Sequence, residues 1–231
     1  MKKLGVIGGM GPAATALFYQ MIAEKTKAEK DQDHIPMVIL SDCLMPDRTG
    51  AILGSDDEKQ IIHDKLLADA KVLKEQGCDM LAIPCNTCHY FADQVADDMG
   101  IELNHMLRLA AKECKRRTHE GAKVAILATE GTIKTGLYKE ALEAENMQIW
   151  LPDEALQAKI SSIIYDKVKA GIGICLADWM PIEDAVYAAE CDCAVLGCTE
   201  LSVVARELEL EDFYVDAMDE LAKSCVEKFN R

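Results

Sequence analysis

Two cysteines carry the strongest chemical signal in this sequence. Cys85 ends the segment Cys78-Asp-Met-Leu-Ala-Ile-Pro-Cys, and Cys198 ends Cys191-Asp-Cys-Ala-Val-Leu-Gly-Cys. In each, Cys-Asp opens a short apolar run, a Pro or Gly closes it, and small polar residues follow the last Cys. The two copies lie 113 residues apart. A thiol just past a strand and just before a helix sits near backbone N–H groups and the positive helix end. Both favour the thiolate. Two thiols so placed form a candidate acid/base pair. Inverting a stereocentre that bears a weakly acidic C–H needs a base on one face and an acid on the other. Neighbouring N–H and hydroxyl donors would hold the charge developing at the reacting carbon. The bland alternative is a pair of buried thiols, the ordinary fate of a reduced cysteine.

The elements that must position them follow from periodicity. Short aliphatic runs at 4–8, 37–41, 80–84, 124–128 and 194–197 read as buried strands bounded by Gly, Pro or polar residues. Between them run helical patterns. Ala14, Leu17, Phe18, Met21 and Ile22 share one face of 12–27, and Ile61, Ile62, Leu66, Ala70 and Leu73 one face of 58–76. Strands alternating with helices mean βαβ units and a mostly parallel sheet. A second internal match, KLGVIGGMG at Lys3 against KVAILATEG at Lys123, occurs in the same order as the cysteine pair. The expected fold is therefore α/β with two similar lobes, each a parallel sheet flanked by helices. Residues 1–99 with 208–231 form the first lobe and 100–207 the second. Ligands bind beyond the carboxyl ends of parallel strands, which places the site in a cleft shared by related strand ends.

Composition narrows the function classes. The net charge of −15 over 231 residues argues against nucleic acid or an anionic membrane as partner. No run approaches the ~18 apolar residues of a membrane span. The opening MKKLGVIGGMGP is broken by glycines and a proline, unlike a secretion signal. Ten cysteines without such a signal read as reduced thiols in a cytoplasmic protein.

Six segments, GVIGGMGP at Gly5, PDRT at Pro46, PCNTCH at Pro84, ATEGT at Ala128, YDKVKAG at Tyr165 and LGCTEL at Leu196, span nearly the whole chain. Together they make the sequence resemble the aspartate/glutamate racemase family, most closely its aspartate-racemase branch. The resemblance implies a two-lobed, pseudo-twofold, homodimeric α/β protein that racemises a small acidic amino acid without a cofactor. It implies that Cys85 and Cys198 are the catalytic pair. Asn86, Thr87 and Cys88 would hold the α-carboxylate, with Thr132 and Thr199 adding contacts. Met10 and Gly11 would line the site. Arg48 and Lys169 would bind the side-chain carboxylate, one as a fork and one as a point charge. Glu200 has two readings of equal weight: it orients Cys198 or the substrate ammonium, or it is a first-turn acid favoured by the helix dipole.

Other patterns compete. Gly9-Met10-Gly11-Pro12-Ala13-Ala14 fits a dinucleotide fingerprint, but the acid expected at the second strand's end comes too late, at Asp42. Cys85-Asn86-Thr87-Cys88-His89 matches a c-type haem motif, which needs an exported chain. Zinc on Cys85, Cys88, His89 and Cys198 is the more serious rival, although the second half has no matching C-x-x-C. The expectation is no metal and no cofactor. The functional alternatives are a related cysteine-based dicarboxylate isomerase or decarboxylase, or a non-catalytic protein that binds an acidic metabolite or zinc.

Overall fold

The computed structural model describes residues 2–229. The chain divides into two compact units, Met1–Met106 with Met218–Arg231, and Leu107–Ala217. The chain thus crosses over at 106 and 217, beyond the boundaries at 99 and 207 that the sequence suggests. The reason is one short strand at the end of each unit, which completes that unit's sheet.

The first unit holds β1 (Leu4–Gly8), α1 (Pro12–Lys25), β2 (Met37–Ser41), α2 (Arg48–Leu53), α3 (Asp56–Glu75), β3 (Met80–Ala82), α4 (His89–Met99) and β4 (Glu102–Asn104). Its four strands are all parallel, in the order β2-β1-β3-β4. Ile7, Leu81 and Ile83 share a core with Ile62, Leu66, Ala70 and Leu73 of α3 and with Phe91, Ala92 and Val95 of α4. Ile61 was expected on that face, but it is exposed. The buried stripe Ile62-Leu66-Leu73 already fills the contact, and Ile61 falls about 100° round the helix from Ile62. Ser55 and Glu58 close a reciprocal cap at the start of α3, satisfying donors that a helix end leaves open.

α5 (Met106–Arg117) leads into the second unit. There follow β5 (Lys123–Ala128), α6 (Glu130–Lys134), α7 (Leu137–Glu143), β6 (Gln148–Trp150), α8 (Glu154–Ser162), a π-helical stretch (Ile163–Val168), α9 (Leu176–Ala188), β7 (Cys193–Gly197), α10 (Thr199–Leu208) and β8 (Tyr214–Asp216). The sheet order is β6-β5-β7-β8, again all parallel. Its core joins Ala125, Leu127 and Leu196 to Ile160, Trp179, Ile182, Leu201 and Val204. α11 (Ala217–Phe229) starts at the boundary, and from Met218 onward belongs to the first unit. There Ser224 donates to Asn104 at 3.0 Å and Lys228 pairs with Glu102 at 2.7 Å.

The internal repeat has a physical cause at the strand starts. Lys3 N–H donates to the Asp79 carboxylate at 2.8 Å, Asp79 N–H returns to Lys3 O at 2.9 Å, and Lys3 Nζ reaches Gln76 O. In the second unit Lys123 N–H donates to Asp192 at 2.7 Å, Asp192 N–H returns to Lys123 O at 2.8 Å, and Lys123 Nζ reaches Ala189 O. The matching Lys and Cys-Asp pieces are thus one clasp, made twice, that sets the register of the two central strands.

Candidate active site

In the first unit the site begins at the tight turn after β1. Gly9 has φ +90°, and a Cβ there would lie 2.5 Å from the Asp42 backbone. Only glycine fits such a position without strain. Gly9 N–H donates to Thr15 Oγ1 at 2.9 Å, and that hydroxyl donates to Gly11 O at 2.9 Å. This sets Met10 and Gly11 just ahead of α1. Met10 is buried, with its sulfur 3.2 Å from Cys88 Sγ.

Cys85 lies just beyond β3, buried, with its N–H donating to Ile83 O at 2.7 Å. Asn86, Thr87 and Cys88 turn the chain into α4 through His89 N–H to Asn86 O and Phe91 N–H to Cys88 O, both 3.0 Å. All three turn residues are buried. A hydrogen bond to Cys85, then burial, then the charge of Cys85 push the Cys88 thiol well above the usual range. Arg48, at the start of α2, hydrogen-bonds the Cys85 side chain. Burial alone would lower its pKa, but the neighbouring Cys85 sulfur and the Asp47 carboxylate raise it. A guanidinium so placed favours negative charge on sulfur. Arg48 Nη1 also donates to Pro46 O at 3.0 Å, while its Nε is buried with no hydrogen-bond partner.

In the second unit Gly197 ends β7. A Cβ there would meet Ala128 Cβ and the Tyr138 ring at 3.0 Å, so any larger residue would have to push these neighbours back. Cys198 follows as the residue before α10, buried, with Sγ donating to Glu200 Oε2 at 2.9 Å. Glu200 is buried too, and its other oxygen accepts from Lys169 Nζ at 2.5 Å. Burial, and then the Glu200 charge, push the Cys198 thiol well above its ordinary range. Here the expectation that the helix end would favour thiolate is reversed, because burial, and then a carboxylate at contact distance, outweigh it. Glu200 lies in the first turn of α10 and also contacts Cys198, so both features behind its two readings are present. Thr199 is buried beside it, with Oγ1 3.4 Å from Glu200. Thr132 is buried at the start of α6, with its N–H 3.3 Å from Thr129 Oγ1.

The structure thus gathers Met10, Arg48, Cys85 and Cys88 around one thiol, and Lys169, Thr199 and Glu200 around the other. Sequence reasoning set His89 aside as a haem or zinc decoy. In fact its buried ring holds the Cys85 carbonyl, with Nδ1 at 2.9 Å. Its Nε2 accepts from Met106 N–H at 3.2 Å. Both nitrogens are thus spent on the backbone, which leaves no lone pair for a metal. Among the described residues, no group of three or more His, Cys, Asp or Glu could hold a metal ion, and no helix is long and apolar enough to cross a membrane.

The family model for Asp/Glu/hydantoin racemases matches residues 7–225. The Bacillus subtilis (strain 168) broad specificity amino-acid racemase RacX is 26% identical over 230 residues, covering 98% of this chain and 97% of its own. The Lysinibacillus sphaericus glutamate racemase is 30% identical over 68% of this chain and 60% of its own. Among solved structures, the Picrophilus torridus aspartate racemase superposes over 99% of this chain and 94% of its own, with TM-score 0.74 and 25% identity. The Aquifex pyrophilus glutamate racemase shares the fold at TM-score 0.61 and 20% identity, over 99% of this chain and 84% of its own.

Proposed function

The chain belongs to the Asp/Glu/hydantoin racemase family, and from that premise we propose that it racemises an acidic amino acid without pyridoxal phosphate, using Cys85 and Cys198 on opposite faces of the substrate's Cα. One observation carries this reading. Each unit places a buried thiol beyond the corresponding strand of its own sheet, with a cation in its surroundings: Arg48 bonded to Cys85 in one, and Lys169 paired with the Glu200 that contacts Cys198 in the other.

The two environments differ in a way that suits complementary roles. Arg48 beside Cys85 favours a thiolate able to take the α-proton. Glu200 beside Cys198 keeps a thiol able to give one. In that direction the α-proton passes to Cys85 while the Cys198 proton goes to the opposite face of Cα. The product leaves Cys85 protonated and Cys198 as thiolate, which is the starting state for the reverse reaction. Lys169 and the N-terminus of α10 make that second state reachable. The unpartnered Arg48 Nε is a donor that a substrate carboxylate can satisfy, which supports aspartate as first choice and glutamate as second.

The test is polarimetric. L-aspartate incubated with the purified chain and no pyridoxal phosphate should lose its circular dichroism signal completely. An unchanged signal for both acidic amino acids would overturn the substrate assignment. A broader range is the second reading. The similarity to the broad-specificity relative favours it, as does the engagement of Lys169 with Glu200. Equal rates on a neutral amino acid in the same assay would select it.

A further inference from the structure

We infer that His89 is a positioning residue that aims the Cys85 sulfur by gripping the cysteine's own carbonyl. The inference rests on the two-thiol reading above, and it concerns a residue to which that reading gives no part in the chemistry.

A carbonyl oxygen only accepts, so the imidazole nitrogen facing Cys85 O, Nδ1, carries the hydrogen. A backbone N–H only donates, so Nε2, facing Met106 N, offers its lone pair. The two neighbours together fix one neutral tautomer. A charged ring would turn an N–H against the Met106 N–H, so the bridge holds only while the ring is neutral. His105 packs its ring edge against His89 at 4.7 Å between centroids, which limits rotation.

The bridge closes a gap that ordinary helix geometry leaves. Cys85 N–H is held by Ile83 O, and His89 supplies the second grip, on the other side of the same residue. With both peptide groups fixed, the direction of the Cα–Cβ bond is fixed too. Met106 N–H is one of the donors left open at the start of α5, and His89 caps it. The other thiol is held differently. Cys198 O accepts from Leu201 N–H at 2.9 Å. The residue four positions on, Ser202, donates instead to Asp216 at 2.6 Å. Both units tie the helix after the cysteine to the chain around the last strand of the sheet. Only in the first does the tie include the cysteine carbonyl. Proton transfer from carbon is steep in distance, so a sulfur displaced by about 1 Å loses on the order of 10²-fold in rate.

The test compares wild type, His89→Ala, His89→Gln and Ser202→Ala in the full chain. It reads thermal unfolding, kcat and KM for both aspartate enantiomers, and the rate of iodoacetamide alkylation at Cys85 by peptide mass spectrometry. A glutamine amide can donate to Cys85 O and accept from Met106 N–H, so it should rescue. Expected for folded His89→Ala are a kcat lower by at least about 10-fold, a KM within about twofold, and Cys85 alkylation changed by at least about threefold. His89→Gln should return each value to within about threefold of wild type. Ser202→Ala should leave Cys85 alkylation unchanged. A normal kcat in His89→Ala, or a His89→Gln as damaged as the alanine variant, would overturn the assignment. Should the alanine variant fail to fold, His89→Gln decides alone: wild-type kcat and alkylation support the bridge, and a tenfold loss refutes it. If wild type shows no racemisation, the two-thiol reading fails and the alkylation series still judges His89. If Cys85→Ala is dead while His89→Ala is normal, only the His89 inference fails.

Discussion

At Cys198 three buried or half-buried groups, thiol, carboxylate and ammonium, form one chain from Cys198 through Glu200 to Lys169. Burial and the Glu200 charge raise the thiol pKa, so thiolate appears only as pH climbs well past the usual ~8.5. Glu200→Gln removes the carboxylate charge but keeps a hydrogen-bond acceptor. Thiolate should then form at lower pH. Alkylation of Cys198 near pH 8 should be several-fold faster than in wild type, and equal rates would remove Glu200 as the cause. At the other thiol, a guanidinium fork is not replaced by an ammonium. Arg48→Lys should raise KM for aspartate about 10-fold, equivalent to ~1.4 kcal/mol, as read from initial rates. The places of Cys85 and Cys198 just beyond strand ends were legible in the sequence because each closes a short apolar run of the same pattern. The role of His89 was not, because a histidine bonded to two backbone groups leaves no spacing pattern. Nor was the raised state of Cys198, since a helix N-terminus predicts the opposite sign until Glu200 is placed.

β1, β2, β5 and β7, each of five or six residues, were legible as elements, and so was the three-residue β3, because the apolar run around it continues through Ile83 to Pro84. β4, β6 and β8 were not. Each has three residues, too few to show a period, and each lies at a sheet edge. Missing β4 and β8 is what shifted both expected boundaries. The loops between elements carry testable geometry. Gly9→Ala forces a Cβ onto the Asp42 backbone at positive φ. It should cost at least roughly 1–3 kcal/mol and lower Tm by about 3–10 °C. Gly77→Ala, also at positive φ but with open space around its Cβ, should cost less. A larger loss at Gly77 would contradict the contact argument. On α5, Arg116 and Arg117 clamp Glu113 at 2.6 Å and hold its carboxyl down to about 2. A depressed acid stabilises the fold above its unfolded pKa of ~4.3 and loses that contribution as pH falls through the folded value. Since Arg116 is largely exposed, the effect is on the order of 1–3 kcal/mol. Glu113→Gln should therefore be less stable than wild type to urea at pH ~7, with the difference fading toward pH ~2. A constant difference would show that the clamp is not electrostatic.

For the whole molecule, the charge of −15 sets an unfavourable mean field for any acidic ligand, so the proposed acidic substrate would need local cations to bind. Duplication was legible from two short matches because the Lys–Asp clasp and the thiol-bearing turn recur at equal rank in two sheets of equal strand order. It also gives the proposed chemistry its form, one thiol from each copy. The most direct measurement follows the α-hydrogen of L- and D-aspartate by NMR in D₂O with wild type, Cys85→Ala and Cys198→Ala. Wild type should convert each enantiomer into the other with deuterium at Cα of the product. Each single variant should lose interconversion by at least about 10³-fold, and any residual exchange should be confined to one enantiomer, opposite for the two variants. Full interconversion by either variant, or product that keeps its original hydrogen, would contradict a two-thiol racemase.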